Sequence, residues 1–131
     1  MLKKILVIDD EEAVRKAFDY ALRDTDYEVD LAGGGREGVE MALADDYDLI
    51  YLDLRMPEMN GIAVMREIRK VKPDQLIYIV TAFHREYFKD LVQVREDGID
   101  FELLSKPLER EQIITITRAI LDGIQPEEGG E

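Results

Sequence analysis

Cysteine is absent from the 131 residues, histidine occurs once, and basic residues are few beside acidic ones. Without cysteine there is no disulfide, no thiolate nucleophile and no cysteine-zinc site. A single histidine, His84, gives little support to a multi-histidine metal centre or a phosphohistidine relay, and it is expected on a solvated loop. Lys and Arg number 17 against 30 Asp and Glu, a net charge of −13, which makes nucleic acid and anionic membranes poor partners. No basic DNA-reading helix is present. Long apolar runs are missing too. Met1-Leu2-Lys3-Lys4 leads into only Ile5 to Ile8 before Asp9-Asp10-Glu11-Glu12 closes the run, so it is neither a signal peptide nor a membrane span. The expected compartment is the cytoplasm. With 46% apolar and 36% charged residues the chain is globular, and its length suits one domain rather than two.

What is present alternates. Five short apolar runs read as strands: Ile5–Ile8, Glu28–Ala32, Leu49–Leu52, Leu76–Val80 and Phe101–Leu104. Helical spacing follows each. It links Ala13, Val14, Ala17, Phe18, Ala21 and Leu22, then Val39, Met41, Ala42 and Leu43, then Ile62, Val64, Met65 and Ile68 ahead of Pro73. A fourth helix is predicted from Tyr87 to Glu96 with Gly98 as its cap, and a fifth from about Glu109 to Asp122 with Gly123 as its stop. Within the fifth, Ile113-Ile114-Thr115-Ile116-Thr117 favours a strand by propensity, but the length and the apolar residues beyond it tip the prediction to helix. Residues 1–123 are assigned to the domain, and 124–131 to a disordered acidic tail or the start of a linker.

Five βα units imply a doubly wound parallel sheet of the flavodoxin-like kind, with helices on both faces. Runs one, three and four are continuously apolar, as central strands must be, whereas Glu28-Val29-Asp30-Leu31 alternates and run five carries Glu102. The strand order is therefore expected to be 2-1-3-4-5.

Polar residues cluster where the runs stop. Asp9 and Asp10 follow the first, Asp53 the third, Thr81 the fourth and Lys106 the fifth. Ligands of open parallel sheets bind at the carboxyl ends of the strands, where the order reverses, and here that point lies between runs one and three. Three carboxylates gathered there call for a cation, and hard oxygen donors suit Mg²⁺ or Mn²⁺. A lysine facing the same pocket is a point charge suited to a phosphoryl oxygen.

Asp9-Asp10, the stretch Asp53-Leu54-Arg55-Met56-Pro57-Glu58-Met59-Asn60-Gly61, Thr81-Ala82 and Lys106-Pro107 together resemble the receiver domain of two-component response regulators. The resemblance covers residues 3 to about 123. It implies that Asp53 is the phosphoacceptor, and that Asp9, Asp10 and Asp53 hold Mg²⁺ together with the backbone carbonyl of Arg55. It also implies that Thr81 and Lys106 contact the phosphoryl group and that the bond before Pro107 is cis. The implied partners are a sensor histidine kinase or phosphotransfer protein, a downstream target or output domain, and a second copy on phosphorylation. Whether the receiver stands alone or belongs to a longer regulator is left open. On this reading Asp53 attacks phosphorus in line, and the acyl phosphate carries about two negative charges where the carboxylate carried one.

The resemblance also marks departures. The output face is expected on helix four, strand five and helix five. Receivers often place an aromatic three residues before the lysine, but that position is Leu103 here, and Phe101 stands five residues before Lys106. Phe101 is therefore expected as edge-strand core rather than as an inward-turning switch. Arg55 and Phe83, each two residues past a site residue, are implied to lie over the phosphoryl group and to lengthen its lifetime; the plainer alternative pairs Arg55 with Glu58 or Glu86. Among other classes, an aspartyl-phosphate hydrolase of the haloacid dehalogenase type needs a second acid where Arg55 stands. A flavodoxin-like FMN carrier needs a phosphate-cradling loop where acids stand. Gly33-Gly34-Gly35 lacks the dinucleotide-binding spacing and reads as a flexible turn into helix two.

Overall fold

A computed structural model describes residues 2–123, so the expected tail at 124–131 lies outside the described residues. Strands β1 (Lys4–Ile8), β2 (Glu28–Ala32), β3 (Leu49–Leu52), β4 (Ile77–Thr81) and β5 (Glu102–Ser105) alternate with α1 (Glu12–Leu22), α2 (Gly35–Ala44), α3 (Gly61–Val71), α4 (Phe88–Glu96) and α5 (Arg110–Asp122). All four strand pairings are parallel, and the order is β2-β1-β3-β4-β5. The two runs that carry acidic residues are thus the edges and the apolar runs the centre.

Side chains leave each central strand to both faces, which makes two cores. Ile5, Val7, Leu49, Tyr51 and Val80 meet Phe18, Leu22 and Ile113 beneath α1 and α5. Leu6, Ile8, Ile50, Leu52, Ile77 and Ile79 meet Val64, Met65, Ile68, Leu91 and Val94 from α3 and α4. Each aliphatic side chain so buried contributes on the order of 1.5–3 kcal/mol.

The β-branched run in α5 is helical because burial overrides propensity. Ile113 and Thr117, four residues apart and so on one helix face, are buried against the sheet, and the Thr117 hydroxyl pairs with the Tyr51 hydroxyl at 2.7 Å. The helix starts in a reciprocal capping box between Glu109 and Gln112 and stops at Gly123 with φ 65°.

Several boundaries move by a residue, β1 opening at Lys4 and α4 at Phe88. The fourth and fifth strands each sit one residue later than predicted, because the ladder runs from Tyr78–Glu102 to Thr81–Ser105 and brings Thr81 inside the sheet. Gly35 is not part of a loose turn but opens α2, where a Cβ would stand 2.5 Å from the Met59 carbonyl oxygen. His84 is half-buried rather than solvated, in a β4–α4 loop whose turn carries a bond from Glu86 N to Phe83 O at 3.1 Å.

Candidate functional site

The carboxyl ends of β1, β3 and β5 continue their ladders one residue further. The amide of Asp9 donates to Ala32 O at 3.1 Å, that of Asp53 to Ile8 O at 3.0 Å, and that of Lys106 to Thr81 O at 3.1 Å. These bonds hold the backbones of all three residues rigidly, which positions their side chains better than a free loop would. The chain after Asp53 then doubles back. The amide of Gly61 donates to Leu54 O at 2.8 Å, and a Cβ on Gly61 would stand 2.2 Å from Asp53 O, so glycine is required there. Glu58 takes a left-handed φ of 68° within this loop.

Oxygen atoms of Asp9, Asp10 and Asp53 all lie within 4.8 Å of one another. Asp9 and Asp53 are buried, and Asp10 is the least buried of the three. Lys106 Nζ stands 2.8 Å from Asp9 Oδ2 and 3.4 Å from Asp53 Oδ2, with only 11% of its side chain exposed. Burial pushes the carboxyl of Asp53 above its ordinary value, against the opposing pull of Lys106, the Thr81 hydroxyl and the Leu54 amide. Asp9 is raised for the same first reason, against Lys106 and the Glu11 amide and with the Asp53 charge adding to it. Burial alone would lower Lys106, but Asp9, Asp53 and Glu11 outweigh it and raise the ammonium. Three carboxylates facing one ammonium leave an excess of negative charge in a partly desolvated site. Hard, closely spaced oxygens with that excess fit a small divalent cation.

Thr81 is fully buried, and its hydroxyl accepts from the Phe83 amide at 3.0 Å. The Lys106–Pro107 bond is cis. Asp9, Asp10, Asp53, Thr81 and Lys106 therefore converge on one pocket. Its mouth is lined by Asp10, Glu11, Arg55, Met56, Pro57 and Phe83.

The rim differs from the plainer expectation. The Arg55 guanidinium lies over the Phe83 ring, 4.6 Å from its centroid, and among the described residues it pairs with neither Glu58 nor Glu86. Away from the pocket, Phe101 is buried just ahead of β5 under the Arg95 guanidinium, which is 4.1 Å from the ring centroid and bonds Phe101 O at 2.9 Å. Leu103 is 38% exposed on the edge strand.

Two contacts were not foreseen. Glu11 Oε1 accepts from Lys106 Nζ at 3.1 Å, and Arg15 donates to the Asp9 carbonyl at 2.8 Å. The run Asp9-Asp10-Glu11-Glu12 was a signal for the first. Nothing in the residue order marks the second.

Residues 5–118 match the family model described as the response regulator receiver domain. The response regulator MprA of Mycolicibacterium vanbaalenii is 34% identical over 129 residues, covering 96% of this chain and 53% of that protein. Its counterpart in Mycobacterium tuberculosis is 34% identical over 134 residues, covering 100% and 56%. The chain thus spans about half the length of these curated relatives. Among solved structures, a CheY-like receiver domain from Methanospirillum hungatei superposes with a TM-score of 0.82 at 24% identity, covering 94% of this chain and 96% of that one. The response regulator TrrA of Thermotoga maritima, crystallised with Mg²⁺-BeF, gives 0.76 at 32% identity, covering 92% and 100%. The hydrolase alternative finds no support beside this, since its second acid is replaced by Arg55. Fold, pocket and sequence match agree, and the chain belongs to the response regulator receiver domain family.

Proposed function

We propose that Asp53 takes a phosphoryl group from a phosphohistidine of a sensor kinase or phosphotransfer protein, and that the change of charge there switches the face formed by α4, β5 and α5. The observation that carries this reading is the Asp53 carboxylate, buried at the end of β3 with Lys106 Nζ 3.4 Å away and Asp9 and Asp10 beside it. An Asp53 oxygen forms the new bond to phosphorus while the bond from phosphorus to the donor nitrogen breaks, the electron pair leaving with the imidazole. With acetyl phosphate the bond broken is to the acetate oxygen. Charge spreads over the transferring oxygens in such a transition state, so catalysis consists of positioning and neutralisation. Lys106 supplies a fixed positive charge from inside the pocket. The Thr81 hydroxyl, which faces the Asp53 carboxyl in the unmodified chain, can turn to donate to a product oxygen, and that change of acceptor differs between the two states and can therefore shift an equilibrium between them. Asp9, Asp10 and Asp53, with the Arg55 carbonyl, would hold Mg²⁺ (or Mn²⁺), which when bound neutralises charge on the transferring oxygens. A relative crystallised with Mg²⁺-BeF supports that assignment.

Loss of the phosphoryl group to water is slow on this reading, since neither Arg55 nor Phe83 can serve as a base at the rim. The chain then acts on no substrate but its own aspartyl phosphate. Its downstream partner is a protein target, an attached output segment or a second copy of itself. No helix among the described residues is long and apolar enough to cross a membrane. Intact-mass measurement after acetyl phosphate and Mg²⁺ tests the assignment. One adduct is expected, lost in Asp53→Asn and prevented by chelator; an equal adduct in the variant rules Asp53 out.

A further inference from the structure

Glu11 is the N-cap of α1, yet its side chain makes no capping bond. Helix N-caps favour Ser, Thr, Asp and Asn, whose short side chains reach the amides of the first turn. Glutamate here instead spans to the β5–α5 loop and binds Lys106 Nζ at 3.1 Å. An ammonium has three donors. Around Lys106 Nζ stand Asp9 at 2.8 Å, Glu11 at 3.1 Å and Asp53 at 3.4 Å, so the ammonium is ringed by carboxylates.

Modification turns the Asp53 carboxylate into an acyl phosphate, so the 3.4 Å contact passes to the phosphoryl group, and to close on a phosphoryl oxygen Lys106 must loosen its hold on Asp9 or Glu11. Asp9 is a costly choice, because its side chain is 3% exposed and would be left buried without its partner. Glu11 is 56% exposed, and its carboxylate is hydrated as soon as it is released. We propose that Glu11 is a positioning residue that holds Lys106 in the unphosphorylated state and competes with the phosphoryl group for it, limiting how readily Asp53 is modified. This rests on the reading of Asp53 as phosphoacceptor and of Lys106 as its cation.

Two explanations of a Glu11 effect must be separated. Glu11 could act on Lys106 by contact, or simply repel an anionic donor from the mouth of the pocket. Glu11→Asp distinguishes them, since it keeps the charge, improves the cap and is one methylene too short to hold Lys106. Phosphorylation by subsaturating acetyl phosphate with Mg²⁺ is followed by intact mass for the unaltered chain, Glu11→Gln, Glu11→Asp and Glu12→Gln. Both Glu11 variants are expected to react about two- to fivefold faster, the range of a solvent-exposed ion pair, while Glu12→Gln matches the parent. Glu12 is the control because it pairs with Lys16 on the helix surface. A Glu11→Asp rate equal to the parent's, or unchanged or slower rates in both Glu11 variants, overturns the proposal. Absence of any Asp53 adduct on the parent overturns the phosphoacceptor reading and this proposal with it.

Discussion

With Asp53 as phosphoacceptor, the Arg55–Phe83 stack at the pocket mouth is expected to lengthen the lifetime of the phosphorylated state. Arg55 is exposed and Phe83 half-buried, and the guanidinium lies 4.6 Å from the ring centroid. Stacks with that much solvent contact contribute about 0.5–1 kcal/mol. If water must part the two side chains to reach phosphorus, losing the stack lowers the barrier by that amount, a two- to fivefold shorter lifetime at roughly 1.4 kcal/mol per factor of ten. Either residue removed alone forfeits the same contact. Arg55→Asn, Phe83→Ala and the double variant should therefore lose phosphate at similar rates, since effects within one contact do not add. The assay is phosphate release after the donor is removed, followed for all four proteins. A parent as fast as the single variants would show that the stack does not guard the phosphorus. A double variant whose acceleration is the product of the two single effects would show that each residue acts independently, by charge or bulk and not through the stack.

The Tyr51–Thr117 pair should behave asymmetrically in urea unfolding: Thr117→Val strands a buried tyrosine hydroxyl and should cost about 1–3 kcal/mol, Tyr51→Phe less, and the double variant less than their sum. Tyr51→Phe is the milder change because a helical threonine can bond back to the carbonyl four residues earlier. Asp53→Asn should stabilise the metal-free protein at neutral pH, because burial raises the Asp53 pKa and so penalises its charged form in the folded state. That penalty is absent below the ordinary value of 3.8 and grows as pH rises through the raised folded value, so the variant's advantage should vanish on acidification; an advantage that grows in acid refutes the assignment. Mg²⁺ at ten times its Kd should raise the unfolding free energy of the parent by about 1.4 kcal/mol and that of Asp53→Asn by less. Phe101 should keep its place under Arg95 when beryllofluoride occupies the pocket, and a ring that moves from one side of the sheet edge to the other in the crystal structure of that complex would contradict the reading.

Most of the architecture was legible because burial on two faces leaves a mark in the residues themselves. Ile5–Ile8 and Leu49–Leu52 have no charged member, and only a strand covered on both sides tolerates so apolar a run. The backbone positions of the site were legible for a related reason. A charged residue directly after such a run must sit where the strand ends meet solvent, so Asp9 and Asp53 fell at one end of the sheet before any side chain was placed, with Lys106 past the fifth run beside them. Thr81 was harder, since its neighbours allow the strand to stop at Val80, and only the pairing with Ser105 carries it one residue further. His84 was misjudged because its burial comes from the path of the β4–α4 loop, which its flanking residues do not specify.

What remained hidden depends on which of several reachable partners a long side chain takes. Arg55 had Glu58 and Glu86 within plausible reach, and an exposed carboxylate pair is worth about as much as an aromatic face. Sequence separation cannot rank choices that close, and in the fold the guanidinium lies over Phe83 at the pocket mouth. The same reasoning applies to Lys106. The two partners that remain carboxylates differ less in Coulomb attraction than in the cost of letting each go, and that cost follows burial: 3% exposure at Asp9 against 56% at Glu11. Two acids separated by a single residue, Asp9 and Glu11, thus take opposite parts. One anchors the lysine from the interior, and the other holds it from solvent on terms that a phosphoryl group can displace.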